Sequence, residues 1–157
     1  MSGGISDVVV EDLRIRSSKN GVEFRTGRGR GAYMSKIVVS SVDMDSVDVA
    51  LKATGLWESH PDMDFDPDAL PVVDRITFKS IVGSNISTAG IFSGIEESPF
   101  TSICMFNVTL FPSPASWQCS GVAGYSESTW PPPCQVLTAG NYSSCYYNEE
   151  RTGIASL

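Results

Sequence analysis

One short template recurs along this chain and limits what it can become. An apolar residue, a spacer, an apolar residue, two spacers, then apolar, spacer, apolar: the pattern fits Val8, Val10, Leu13 and Ile15, and again Ile37, Val39, Val42 and Met44. It returns at Ile76, Phe78 and Ile81 with Gly83 in the last place, and at Ile103, Met105, Val108 and Leu110. Alternation within each half is the period of a strand, and no segment carries a sustained helical apolar period with caps. The copies start 29, 39 and 27 residues apart. Each of the first three is followed by a second short apolar stretch: Val22 with Phe24, Val49 with Leu51, and Ile91 with Ile95. Short strands recurring once per roughly 20–30 residues mark a solenoid whose turns bury their faces against one another. Equivalent side chains then stack at about 4.8 Å. An antiparallel sandwich also uses many short strands, but the constant two-residue interruption favours the parallel stack. The expected class is all-β: parallel β-helix coils over residues 1–111, then a Cys- and Pro-rich cap or tail over 112–157, disordered toward its end.

The spacing of 39 holds extra chain at 56–71, Leu-Trp-Glu-Ser-His-Pro-Asp-Met-Asp-Phe-Asp-Pro-Asp-Ala-Leu-Pro. Its prolines and aspartates exclude a central strand, so this insertion is expected to leave the solenoid as a loop. Asp62, Asp64, Asp66 and Asp68 alternate along it as in a calcium loop, but the glycine and terminal glutamate of such a loop are missing. No metal site is expected: His60, the sole histidine, has no partner ligands at usable spacing and precedes Pro61.

Charge is unevenly placed. The net charge is -7, yet seven of the eleven Lys and Arg lie between Arg14 and Lys36, with Glu23 the one acid among them. Such a basic island in an acidic chain is a candidate anion site, because local field governs capture more than net charge does. Its centre is Gly21 to Tyr33, Gly-Val-Glu-Phe-Arg-Thr-Gly-Arg-Gly-Arg-Gly-Ala-Tyr. Glycines at 27, 29 and 31 permit positive φ and close backbone approach, so Arg25, Arg28, Arg30 and Tyr33 are expected to face one ligand from a tight loop. An arginine fork grips a carboxylate with two hydrogen bonds. Nucleic acid is excluded as the main partner by the overall negative charge, and no apolar run is long enough to span a membrane.

Three sequons, at Asn85, Asn107 and Asn141, and cysteines at 119, 134 and 145 in a Pro- and Ser-rich region read as a secreted, oxidised protein. The start, Met-Ser-Gly-Gly-Ile-Ser-Asp, is not a signal peptide, so further chain is expected upstream. A bridge from Cys119 to Cys134 would close a loop of about fifteen residues, worth on the order of 3 kcal/mol. Cys104, inside a predicted strand, reads as a small buried hydrophobe, and Cys145 has no evident mate.

Several stretches together resemble a known family. They are Gly-Ile-Ser-Asp-Val at 4–8, the Gly-Val-Glu-Phe-Arg-Thr segment with its Gly-Arg-Gly-Arg-Gly loop, His-Pro-Asp to Ala-Leu-Pro-Val-Val at 60–73, Ser-Pro-Phe-Thr-Ser-Ile-Cys at 98–104, and the Trp-Gln-Cys to Pro-Pro-Pro-Cys tail. The chain is similar, to about Leu137, to the C-terminal third of plant polygalacturonase-like proteins of glycoside hydrolase family 28. The resemblance implies a right-handed parallel β-helix that hydrolyses the α-1,4 linkages of galacturonan in pectin with inversion, as a secreted, monomeric cell-wall enzyme needing no cofactor. The family's Arg-Ile-Lys motif falls on Glu23, Phe24 and Arg25, which gives Arg25 the role of binding a substrate carboxylate. Tyr33 matches a substrate-binding tyrosine. Glu23 stands where the family has arginine and would repel a galacturonate if it faced the cleft.

Inverting hydrolysis needs an acid and a base about 6.5–9.5 Å apart. The family supplies them from Asn-Thr-Asp and Asp-Asp motifs with a nearby Gly-His-Gly, and none of the three occurs in these 157 residues. The family's order places them upstream of the basic segment, so this chain is expected to be inactive alone. Asp43 and Asp45 share a strand face with Cβ atoms about 7 Å apart, with Asp48 beyond them, but such pairs are ordinarily solvated. The alternatives are a noncatalytic pectin-binding or structural β-helix protein and a calcium-dependent pectate lyase.

Overall fold

The computed structural model describes residues 3–58, 63–111 and 115–147. Its backbone puts the template positions in columns. Val8, Ile37, Ile76 and Ile103 stand in register, as do Val10, Val39, Phe78 and Met105, and likewise Leu13, Val42, Ile81 and Val108. The strands that carry them, β1 (Gly4–Arg25), β2 (Tyr33–Thr54), β3 (Val72–Ser93) and β4 (Phe100–Leu110), pair in parallel in that order. This is a parallel β-helix.

A straight 22-residue strand would run about 70 Å. These are folded back on themselves by single residues in the left-handed region: Asp7, Asp12 and Ser17 in β1, then Lys36, Ser41 and Ser46 in β2, and Arg75, Ser80 and Asn85 in β3. Ser102 and Asn107 repeat the first two positions in β4. The register stacks these residues into columns, so every coil bends at the same places. Asp12, Ser41, Ser80 and Asn107 occupy the two-residue interruption of the template, which is therefore the signature of a corner. Short polar side chains are suited to it because they hydrogen-bond locally in the left-handed region.

Inward columns make the core. Met44, Leu51, Phe78, Phe92, Met105 and Leu110 are fully buried. An aromatic file runs through the core, Phe24 to Phe78 at 6.0 Å, Phe78 across its own coil to Phe92 at 6.1 Å, and Phe92 stacked on Trp117 of the next coil at 5.9 Å. Apolar burial of this kind, at roughly 25 cal/mol per Å², is the dominant favourable term.

The solenoid does not stop at Leu110. Strand β5 (Ala115–Ser120) pairs in parallel with β3, completing the coil that β4 begins, and β6 (Val122–Trp130) starts another coil upon β4. The expectation of a cap or tail without a further coil from residue 112 is corrected here. The template fails there because a terminal coil has only one covered side: β6 buries Val122 and Gly124 and exposes Glu127 and Ser128. Leu137, wholly buried in a 3-10 turn at Gln135–Leu137, closes this end.

Cysteines 119 and 134 are joined, and so are Cys104 and Cys145. Cys104 is thus buried but not as a free hydrophobe, and Cys145 has a mate. Strand parity explains it: Ile103 and Met105 face the core, so Cys104 faces outward. The segment 142–147 covers it there, with Tyr142 and Tyr147 packed on Phe106 and the Tyr146 carbonyl accepting from buried Thr77 Oγ1 at 2.6 Å. Residues 148–157, His60 and Asp62 lie outside the described residues. Asn85, Asn107 and Asn141 are all exposed.

Candidate functional site

Residues 26–32 join β1 to β2 and are fastened to the insertion that follows β2. Thr26 N–H donates to Thr54 O, Trp57 N–H to Thr26 O, and the amides of Gly29 and Gly31 both donate to Ala69 O at 3.0 Å. The glycines are needed. Gly29 (φ +80°) and Gly31 (φ +53°) sit in the left-handed region, and a Cβ on Gly29 would strike the Phe65 ring. Gly27 has no positive φ but lies directly against the Trp57 carbonyl, where a Cβ does not fit. The described residues of the insertion, 56–58 and 63–71, carry no strand or helix, and they fix the shape of the basic segment.

That shape sorts the arginines. Arg25, Arg30 and Tyr33 line one cleft of about 240 Å³, with Thr26, Ile5 and Met34. Arg28 instead points to a separate cavity, ion-paired with Glu97. Of the three arginines expected to face one ligand, Arg25 and Arg30 line the same cleft and Arg28 lines the other. Tyr33 lies with its ring over Gly4 and is 51% exposed, leaving surface for a ligand.

Arg25 is positioned from two sides. Its guanidinium carbon is 4.4 Å from the centre of the Trp57 ring, a cation–π contact, and its Nη2 donates to Glu23 Oε2 at 2.6 Å. Glu23, 11% exposed, also accepts from Asn20 Nδ2 at 2.7 Å and lies 3.1 Å from Lys52 Nζ. The Arg25 hydrogen bond, helped by Lys52 and opposed by burial, holds the Glu23 carboxyl down to about 2. Glu23 is thus a fixed anion between two cations. The trio carries a net positive charge, and Glu23 orients Arg25 where the sequence alone implied repulsion of an anionic ligand.

Asp43 and Asp45 are otherwise engaged. Asp43 is gripped by both Nη atoms of Arg16, at 3.3 and 2.9 Å, and Asp45 accepts from Ser84 Oγ at 2.8 Å and Asn85 Nδ2 at 2.9 Å. These contacts hold both carboxyls below the ordinary range. A general acid needs the opposite displacement. Among the described residues no three His, Cys, Asp or Glu gather as a metal site, and no helix is long and apolar enough to cross a membrane.

Residues 2–129 match the family model described as glycosyl hydrolases family 28. The chain belongs to glycosyl hydrolases family 28. Among its relatives, a probable polygalacturonase of Vitis vinifera is 39% identical over 141 residues, 87% of this chain and 29% of the relative. A probable polygalacturonase of Arabidopsis thaliana is 23% identical over 138 residues, 83% of this chain and 31% of the relative. The chain thus spans under a third of the length of these two family 28 proteins.

Sequence reasoning passed over Trp57 and Lys52 as site residues. Lys52 was legible in part, because the template register sets it beside Glu23. Trp57 sits in an irregular loop, and nothing in its spacing pairs it with Arg25.

Proposed function

We propose that this chain forms the substrate-holding edge of a galacturonan-degrading hydrolase of the plant cell wall. Arg25, with Arg30 beside it, binds the carboxylate of a galacturonate unit, and Tyr33 packs against or hydrogen-bonds to a sugar. The observation that carries this reading is the cleft itself: a cation held rigidly by Glu23 and Trp57, opposite an exposed tyrosine, in a member of family 28. The acid and base of inverting hydrolysis are contributed by carboxylates outside these 157 residues. That part rests on the missing Asp-Asp, Asn-Thr-Asp and Gly-His-Gly motifs and on the tied-up Asp43 and Asp45.

The complete protein is secreted and monomeric, and it takes acidic polysaccharide as its partner. Two disulfides fit an oxidising compartment, and exposed sequons at Asn85, Asn107 and Asn141 are open to glycans. The engaged aspartates also favour a second reading for the chain on its own, a pectin-binding β-helix without catalysis. Retention on immobilised pectate, with reducing-end release measured in parallel, separates the two. Arg25→Ala should weaken retention about tenfold, more at low salt; retention unchanged by this substitution removes Arg25 from the site. Reducing ends released by the 157-residue chain alone would overturn the assignment of the catalytic carboxylates.

A further inference from the structure

The second cavity, about 360 Å³, adjoins the first through a shared wall: the Trp57 indole that carries Arg25 also lines it. Its character is different. Leu56, Trp57, Phe65 and Ile95 give it an apolar lining. Leu56 is 64% exposed and Trp57 39%, so apolar surface stands open there. Its one lining cation, Arg28, is engaged by Glu97, and Glu58 adds a negative charge. A sugar carboxylate entering this space would lose water and meet a net negative charge, Glu58 and Glu97 against Arg28, whereas the Arg25, Lys52 and Glu23 trio of the first cleft is net positive. The apolar face of a sugar ring fits an indole, and a small apolar substituent fits beside Leu56 and Phe65.

We propose that this cavity is a subsite for a galacturonosyl unit whose carboxyl is methyl-esterified, next to the unit whose free carboxylate is held at Arg25. The assignment rests on the galacturonan reading above and adds to it a substrate class, partly esterified pectin. The shared Arg25–Trp57 wall makes the two sites neighbours along one saccharide chain. The insertion at 56–71 is then a specificity element, because it supplies Leu56, Trp57, Glu58 and Phe65.

The test is equilibrium binding of two oligogalacturonides of equal length to the 157-residue chain, one fully de-esterified and one carrying internal methyl esters. Burial of one ester methyl predicts at least about fourfold tighter binding of the esterified probe, from about 0.8 kcal/mol per buried carbon at 1.4 kcal/mol per tenfold. Leu56→Arg, at a solvent-facing position, should abolish or reverse that preference by offering an unpaired cation. Arg25→Ala should weaken both probes. Equal binding, or a preference for the de-esterified probe, with both still weakened by Arg25→Ala, overturns the subsite and leaves the functional reading standing. A preference that survives Leu56→Arg also overturns it. Failure of both probes to bind overturns the functional reading and the subsite together.

Discussion

Replacing Glu23 with Gln removes the carboxylate that Arg25, Lys52 and Asn20 share while keeping its shape. The group stands at about 2 against an ordinary 4.5. At about 1.4 kcal/mol per tenfold change in proton affinity, that displacement sets a ceiling of about 3 kcal/mol on its contribution. Glu23 is largely covered, but Arg25 is 46% exposed and solvent weakens the pair. The expected loss at pH 7 is therefore about 1–2 kcal/mol. A carboxyl whose folded value lies below its unfolded one stabilises fully above about pH 4.5, and the contribution fades as pH falls toward 2. Urea unfolding of parent and Glu23→Gln should thus show a gap at pH 7 that nearly closes at pH 2.5. Asp7, Asp43, Asp45 and Glu97 are also held below their ordinary range, but they are present in both proteins and cancel in the difference. A gap of constant size from pH 7 to 2.5 would refute the electrostatic account, and so would two proteins of equal stability at pH 7.

Three further outcomes are expected. Cys104→Ser opens a cross-link spanning 41 residues and should cost about 4 kcal/mol in the chain-entropy model, read as a lower urea midpoint; an unchanged midpoint would mean the 142–147 segment docks without the bridge. Gly29→Ala forces a Cβ into a left-handed residue facing Phe65 and should destabilise the loop by about 1–3 kcal/mol, read as faster tryptic cleavage after Arg28 and Arg30 with little change in global melting. Strand β1 is paired along one edge only among the described residues, with Val8, Val10, Leu13 and Ile15 partly covered. These 157 residues alone should therefore associate as concentration rises; a monomer by sedimentation at every concentration, with one cooperative melt, would refute it.

The coils were legible because a parallel stack repeats its environment. Val8, Ile37, Ile76 and Ile103 meet the same neighbours, so the same residue class recurs, and even the left-handed corner at Asp12, Ser41, Ser80 and Asn107 left its mark as a two-residue gap. The last coil was illegible for the same reason reversed: among the described residues no coil stacks on the far side of β6, so exposed Glu127 and half-exposed Ser126 and Thr129 follow no template. Cys104 is buried as expected, but it was read as a lone hydrophobe because its strand parity was not weighed; an outward cysteine between two core residues, in a chain with four cysteines, asks for a partner. In the site, the basic glycine-rich loop already pointed to Arg25, Arg28, Arg30 and Tyr33, and family likeness singled out Arg25 and Tyr33. Their joint placement depends on Gly29 and Gly31 bonding to Ala69, nearly forty residues away and outside the repeat.

That dependence has a consequence for how such a protein can change its substrate. The core columns are constrained from above and below, so a change at Phe78 or Met44 disturbs every coil it touches. The described residues of 56–71 are fastened to the glycine-arginine loop, through the Thr26–Trp57 and Gly29–Ala69–Gly31 hydrogen bonds and the Phe65 ring, and at their end to Ser98, whose Oγ donates to the Pro71 carbonyl at 2.6 Å. Between those fastenings, Leu56 and Glu58 are exposed and can vary at little cost to the fold. Yet the same insertion supplies Trp57, on which Arg25 rests. Its backbone bonds thus set where Arg25 stands, while its exposed side chains line the neighbouring cavity. Exchanging Leu56 and Glu58 should accordingly alter which probe binds, whereas shortening the loop past Trp57 should weaken binding of every anionic probe by releasing Arg25 from one of its two supports.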